Sequence, residues 1–502
     1  MSRPVFFASA VFSLFAFAAM SSGGEGFGSL IGRVPAGANS LVVIDAEALR
    51  DSNLGIREGW REKNEAAAYT DEPFILPPEA DKAVFASEMN LQDGFSQLRK
   101  AAVVSLTEPV SMRAIARQEG GIPETVAGRP AVWSPADIYY VQLADQVVGV
   151  MNPAFRQIVA KWAKGDLPTI GFGPEDYLAT AVGAVGPSEQ IIMALDLREA
   201  VIPSQASARL REFAPFADDA ERLRAVEKLI NGIVGVRFAI SVDTGIKGEL
   251  AVDFNDSPAV LGKDGKAMLL GVMERAGVSI ASLYDWKASY ESTRLVLRGD
   301  LTISDLRKIL SLLEMPATGM HGGDGELADK DDTATIRRAS KVYFSSVSTL
   351  IDDLEDDFRR SAEARRYSTS RYFERYAKRI EQLPILNVDT ELIDYGLQVS
   401  EAFRGASVAQ AGINIKTGVR SVGEQSGGGY GYGYDRYGNR YGTGGGLSPG
   451  WQATKDTAQR QRVARYEGNA AAQGNRLTTW KSVVDATAEM RVAMTRKYGV
   501  EF

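Results

Sequence analysis

The sequence predicts an α+β protein: two related antiparallel-sheet units with helices packed on one face, followed by a long-helix antiparallel bundle. Two observations carry this. From Ser40 to Leu313 short apolar runs alternate with stretches of helical spacing, and some of the runs face each other across tight turns. Further on, Tyr343, Val347, Leu350, Leu354 and Phe358 recur at helical spacing. Ala362, Tyr372, Tyr376, Ile380 and Leu383 continue that stripe until Pro384 ends it.

The first unit spans residues 30–165. Ser40–Asp45 (SLVVID) is a continuous apolar run, as a buried strand requires, and Ala46–Asn64 takes on helical character. Lys82–Glu88 and Lys100–Leu106 read as strands, and Val110–Gln118 as a short helix stopped by Gly120 and Gly121. Glu124–Ser134 is a strand broken by Gly128-Arg129-Pro130. Asp137–Leu143 and Gln146–Val150 flank Ala144-Asp145 as a hairpin. Asn152 then stands as N-cap, with Pro153 at the first position of the helix Ala154–Ala163.

The second unit spans residues 175–315 and repeats this style. Gln190–Leu197 is a strand, and Asp218–Asn231 an amphipathic helix with Leu223, Val226 and Ile230 along one face. Val236–Val242 and Gly248–Phe254 form a hairpin around Thr244-Gly245. Lys266–Arg275 is helical, Ser289–Leu297 is a strand, and Ser304 caps the helix Asp305–Leu313. Hairpins interleaved with helices are the pattern of sheets covered by helices. Val34-Pro35-Ala36-Gly37 ahead of SLVVID, and the stretch Gly128–Lys164, resemble an uncharacterised family of exported bacterial proteins. In that family such units occur singly or in tandem and no catalytic residues are assigned. The resemblance covers about residues 34–315 and implies no site residue for this chain.

A polar linker, 316–335, leads into a helical domain, 336–502. The stripe from Tyr343 to Leu383 predicts one helix of about 45 residues, long enough for a helical hairpin or coiled coil. Thr390–Arg404, Trp451–Tyr466 and Leu477–Tyr498 are also helical, and helices of that length need a partner for their apolar stripe. Gly412–Gly423 is expected to be irregular. Residues 424–449 enclose Gly427–Gly446 (GGGYGYGYDRYGNRYGTGGG), too poor in apolar area to offset its ordering entropy, and are expected to be a disordered insertion.

At the other end, Met1–Gly23 reads as a secretory signal. Arg3 supplies the positive charge, Val5–Met20 the apolar run, and Ala19 and Ser21 the small residues before a cut after Ser21, so that residues 1–21 are removed. An uncleaved anchor is the alternative; the apolar run falls short of the roughly twenty residues of a membrane-spanning helix. The chain has no cysteine, which excludes disulfides, thiolate metal sites, Cys nucleophiles and a lipid anchor on Cys. Its net charge is −7, unevenly spread: residues 336–502 carry 25 Lys and Arg against 19 Asp and Glu, so the helical domain is at +6 and the rest at −13.

The residues available for chemistry are few. His321 is the single histidine and stands in the linker, without the fixed geometry a general base needs. The acids Asp324, Glu326, Asp329, Asp331 and Asp332 around it do not match calcium-loop spacing. Gly262-Lys263-Asp264-Gly265-Lys266 lacks the glycine and the Ser/Thr of a phosphate loop: Val260 and Ala267 stand in their places. Asp352, Asp353, Glu355, Asp356 and Asp357 spread around an exposed helical face at this spacing. No catalytic, metal or cofactor residue is assigned, and no cofactor is expected.

One surface remains. Arg359, Arg360, Arg365, Arg366, Arg371 and Arg375 are interleaved with Tyr367, Tyr372, Phe373 and Tyr376. They form a candidate anion-binding surface; alternatively, the aromatics are the bundle seam and the arginines its solvated face. The expected function is that of an exported, periplasmic or secreted, non-enzymatic envelope protein acting as scaffold or binding module. One alternative is a carboxylate-dependent hydrolase of an extracytoplasmic glycan, which needs neither His nor Cys. Another is an anionic-polymer binder working through the basic helix. The expected partners are an envelope protein or an anionic polymer, with oligomerisation through the long helices; export argues against nucleic acid, and the mature chain has no expected transmembrane span.

Overall fold

A computed structural model describes residues 26–61, 76, 79–91, 96–135, 137–170, 176–183, 185–186, 188–211, 219–275, 278, 280–311, 333–363, 370–381, 383, 388–423, 432–434, 440–442 and 480–502. The secretory segment, the linker with His321, and Trp451–Tyr466 lie outside the described residues.

The chain is α+β. Its strands are β1 (Ser40–Asp45), β2 (Ala80–Asn90), β3 (Ser96–Leu106), β4 (Ile122–Val126), β5 (Arg129–Ser134), β6 (Ile138–Ala144), β7 (Val147–Asn152), β8 (Ile191–Asp196), β9 (Ile233–Val242), β10 (Ile246–Phe254), β11 (Lys287–Glu291) and β12 (Arg294–Leu301). They form one 12-stranded sheet in the order β11-β12-β10-β9-β8-β1-β2-β3-β7-β6-β5-β4, antiparallel throughout. The stretches expected as two units thus share a single sheet, joined where β1 pairs with β8. Val43 is opposite Val84 on one side and Ile192 on the other. Outward from this seam the order is β1, β2, β3, β7, β6, β5, β4 in one direction and β8, β9, β10, β12, β11 in the other.

Helices cover both faces, which corrects the expectation of one. Because side chains alternate along a strand, the apolar run Leu41–Ile44 of β1 must be covered twice. Val42 and Ile44 enter a core with Leu49, Leu54, Ile115, Val226, Leu229 and Leu270. Leu41 and Val43 enter a second core with Leu30, Val159, Trp162, Leu178 and Val182. The helices following β7 and β12 take opposite sides. Arg156–Lys164 buries Val159 and Trp162 on the second face, whereas Ile303–Ser311 buries Leu306, Ile309 and Leu310 on the first.

Several local expectations give way to hydrogen bonding. Asn152 does not cap a helix: its amide donates to the Asp137 carbonyl at 2.8 Å, and the helix begins at Arg156. Thr302, not Ser304, caps Ile303–Ser311, its hydroxyl accepting from the Asp305 amide at 3.0 Å while Asp305 Oδ2 accepts from the Thr302 amide at 2.9 Å. Ala46–Asn64 contains two short helices, Ala46–Arg50 and Asn53–Arg57, the second capped by Ser52. Glu124–Ser134 falls in a hairpin, β4–β5, turning where Ala127 and Gly128 both have positive φ. Ser289–Leu297 crosses a second one, β11–β12, with Ser292 at φ 51°.

The helical stripe is split between Thr333–Glu363 and Ser370–Glu381. The next helix, Thr390–Gly423, runs on through the stretch expected to be irregular. Within the Gly/Tyr segment, Tyr432–Tyr434 and Arg440–Gly442 pair as short strands. Together with helix 480–498 the long helices share a third core. Phe403 stacks on Trp480 with centroids 6.3 Å apart, and the Tyr395 hydroxyl meets Thr487 Oγ1 at 2.8 Å. This core is tied to the sheet by Arg307, which grips both oxygens of Asp353 at 2.6 and 2.7 Å.

Trp286 sets the packing at the β10–β12 end. Gly248 and Gly299 are paired across the two strands, and the indole lies over both. Its Nε1 donates to the Asp300 carbonyl at 2.9 Å, and its ring meets Phe238 edge-on at 5.9 Å. A methyl group at either glycine would overlap the ring. Gly299→Ala is therefore expected to cost about 1–3 kcal/mol in urea unfolding. Gly245→Ala, where a Cβ meets nothing within 4 Å, serves as the control.

Candidate functional site

The exchange of sides by the last helix of each half leaves part of the second face without a helix of its own among the described residues. A groove of about 730 Å³ lies there, lined by Glu189, Ser241, Lys247, Glu249, Asp285 and Arg298 with Trp286 at its wall. Alternation along the strands puts Arg237 of β9, Glu249 of β10 and Arg298 of β12 on this face, with Glu249 and Arg298 directly opposite in register.

These residues form a ladder of alternating charge. Arg237 binds Glu189 through Nη2, lies 3.5 Å from Glu249 Oε1 through Nη1, and donates from Nε to the Ala181 carbonyl at 2.8 Å. Arg298 holds Glu249 Oε2 at 2.6 Å and Glu291 Oε1 at 2.6 Å. Beside the ladder, Asp253 accepts from the Tyr177 hydroxyl at 2.8 Å and pairs with Arg294. Its hydrogen bonds to Glu291 and then to Glu249 raise the Arg298 guanidinium above its usual range, and the bond accepted from Arg298 holds the Glu291 carboxyl below its own. Burial first, and the Asp253 charge second, push the Tyr177 phenol up. The bond from Arg298 thus favours the ionised form of Glu291. Carboxylates paired with guanidinium groups are suited to accepting hydrogen bonds from a ligand.

The basic residues singled out in the sequence lie elsewhere. Arg359 and Arg360 are on the helix Thr333–Glu363 and Arg371 is on Ser370–Glu381, while Arg365 and Arg366 lie outside the described residues. Arg375 departs from the exposed surface expected of it: it is partly buried, and burial pulls its guanidinium down to about 10. Arg379 goes further and is buried, as is Asp353, expected on an exposed face. Tyr372, Phe373 and Tyr376 are buried in the helical core.

No family model and no curated protein sequence matches the chain. Among solved structures, crystal forms of the protein TP0453 are similar. Form III has 10% identity and a TM-score of 0.35 over 57% of this chain and 98% of that one. Form I has 11% identity and a TM-score of 0.31 over 56% and 97%, and form IV has 9% and 0.29 over 57% and 96%. Similarity at this level carries no argument about this chain. Among the described residues no group of three or more His, Asp or Glu is placed to hold a metal ion, and no helix is long and apolar enough to cross a membrane.

The ladder went unnoticed in the sequence, although a signal was there. Arg237 interrupts the apolar run of β9, and Lys247 and Glu249 alternate with apolar residues in β10. Charges alternating with apolar residues mark a strand face that apolar packing does not fully cover. If Arg298 holds Glu291 as described, the Glu291 carboxyl titrates below 4.5 in the native protein. Its contribution to stability is complete above pH 4.5 and disappears as the pH falls through the lower native value. Carbon-detected NMR titration should show that value returning toward 4.5 in Arg298→Gln. An unchanged titration would rule out the pair.

Proposed function

We propose that this chain is an exported, non-enzymatic binding and scaffold protein of the cell envelope, in which two related α+β units built into one sheet precede an antiparallel helical bundle. The observation that carries the binding role is the groove over β9, β10 and β12, whose Glu189 and Glu249 are each paired with an arginine. Such a surface offers fixed donors and acceptors in alternation, which suits a polar ligand bearing both amine and carboxylate groups. Export rests on the residues of Met1–Gly23. The resemblance of residues 34–315 to exported tandem-unit proteins agrees with it.

A second reading is favoured by the concavity itself, since Asp285 and Asp300 also line it. Two carboxyls in a groove are the minimum for glycan hydrolysis. One experiment separates the two. Soluble peptidoglycan fragments, titrated by calorimetry and then analysed by mass, are expected to bind and to be recovered intact. Binding should weaken at least tenfold in Arg298→Ala, the scale of one lost charge-assisted hydrogen bond. Cleaved fragments would establish the hydrolase instead, and neither binding nor cleavage would remove the groove as the site. Export is checked by fractionating cells expressing the whole chain and sequencing the mature N-terminus. Ser22 in an extracytoplasmic fraction is expected; a cytoplasmic chain retaining Met1 would overturn it.

A further inference from the structure

The groove over β9, β10 and β12 is lined by charged residues of two kinds. Glu189, Glu249 and Arg298 are held in ion pairs, with Arg237 and Glu291 as their further partners. Lys247, Lys287, Asp285 and Asp300 line the same groove and are exposed, and their side chains make no hydrogen bond or ion pair among the described residues. The paired groups neutralise one another, so the charge open to a ligand is that of the four free ones.

The strand register sets where these four stand. Lys247 of β10 is directly opposite Asp300 of β12, and Lys287 of β11 is opposite Arg298. Asp285 comes two residues ahead of Lys287, just before β11 begins. A line across the strands from Lys247 therefore meets Asp300 after one strand spacing and the Asp285 side after two, about 10 Å. An extended peptide covers that distance in about three residues. The lining as a whole is close to neutral: four acids stand against three bases, and Arg237, bound to two of those acids, makes up the difference. Such a groove has no net field with which to collect a polyanion or a polycation. An uncharged sugar would cover Lys247 and the two aspartates without giving them a counter-charge. A molecule with a carboxylate at one end and an ammonium at the other gives each of them one. We propose, on the reading of this groove as the binding site, that its ligand is a short peptide of about three residues, lying across β10 and β12 toward the start of β11. Its carboxylate sits on Lys247 and its ammonium between Asp300 and Asp285, with Lys287 one row along facing its side chains.

The test is calorimetric titration of the full chain with trialanine, its N-acetyl and C-amide derivatives and chitotriose, beside the soluble peptidoglycan fragments. Trialanine should bind and displace the fragments, and blocking either end should weaken it tenfold or more, the scale of one lost charge-assisted bond. Lys247→Met should weaken trialanine by a similar factor and leave the amide unaffected. The double substitution Asp285→Asn with Asp300→Asn should weaken trialanine and leave the N-acetyl form unaffected. All three side chains are exposed, so Tm should not change in either variant. Fragments that bind while trialanine does not, or that chitotriose displaces, would overturn the peptide and leave the groove as the site. No binding by fragments and trialanine alike would overturn both. An equal loss for trialanine and its amide in Lys247→Met would overturn the place given to the carboxylate.

Discussion

The pairing of β1 with β8 is the contact on which the rest of the structure depends. Without it the chain would be two short sheets, each with an apolar central strand at its edge. With it, Leu41–Ile44 are hydrogen-bonded on both sides and covered on both faces. A strand apolar at every position is stable only in the middle of a sheet with helices above and below. From this follow the two-faced helical cover and the order of strands outward from the seam.

The first five strands outward from the seam are matched in the two halves, but the cover is not. After β7 the chain crosses to the second face, where Trp162 packs on Gly149. After β12 it goes to the first, where Thr302 and Asp305 lock the start of the helix by reciprocal hydrogen bonds. That difference leaves Lys247 of β10 and Arg298 and Asp300 of β12 exposed on the second face, and side chains in water are free to carry charge. The charge ladder is thus a consequence of where one helix goes. Arg307 on that same helix then reaches Asp353, so the choice of side also fixes where the helical layer docks.

What could be read from the sequence was what repeats locally. SLVVID, the hairpin at Thr244-Gly245 and the amphipathic helix after Asp218 declare themselves through periodicity and turn chemistry. The α+β class followed from them. The union of the two halves did not, because the match of Val43 to Ile192 crosses a sequence separation that no local pattern encodes. Caps were misplaced for a related reason: Asn152 and Thr302 choose among partners that only the folded chain brings near. On the basic stretch the sequence pointed to the wrong property. Arg375 suggested solvent, but it is partly buried, by packing of the folded chain that no local pattern encodes.

A sheet of twelve strands that does not close on itself ends in two rims of unpaired backbone, at β4 and β11. Both are poor templates for another strand. Pro123 deprives β4 of a donor, and β11 is only five residues long, mostly exposed, with Lys287 and Glu291 at its two ends. Copies of this chain brought together at high concentration therefore meet rims that discourage growth of the sheet from one molecule into the next. A fold with this much apolar strand is protected from polymerising by a handful of residues at its margins.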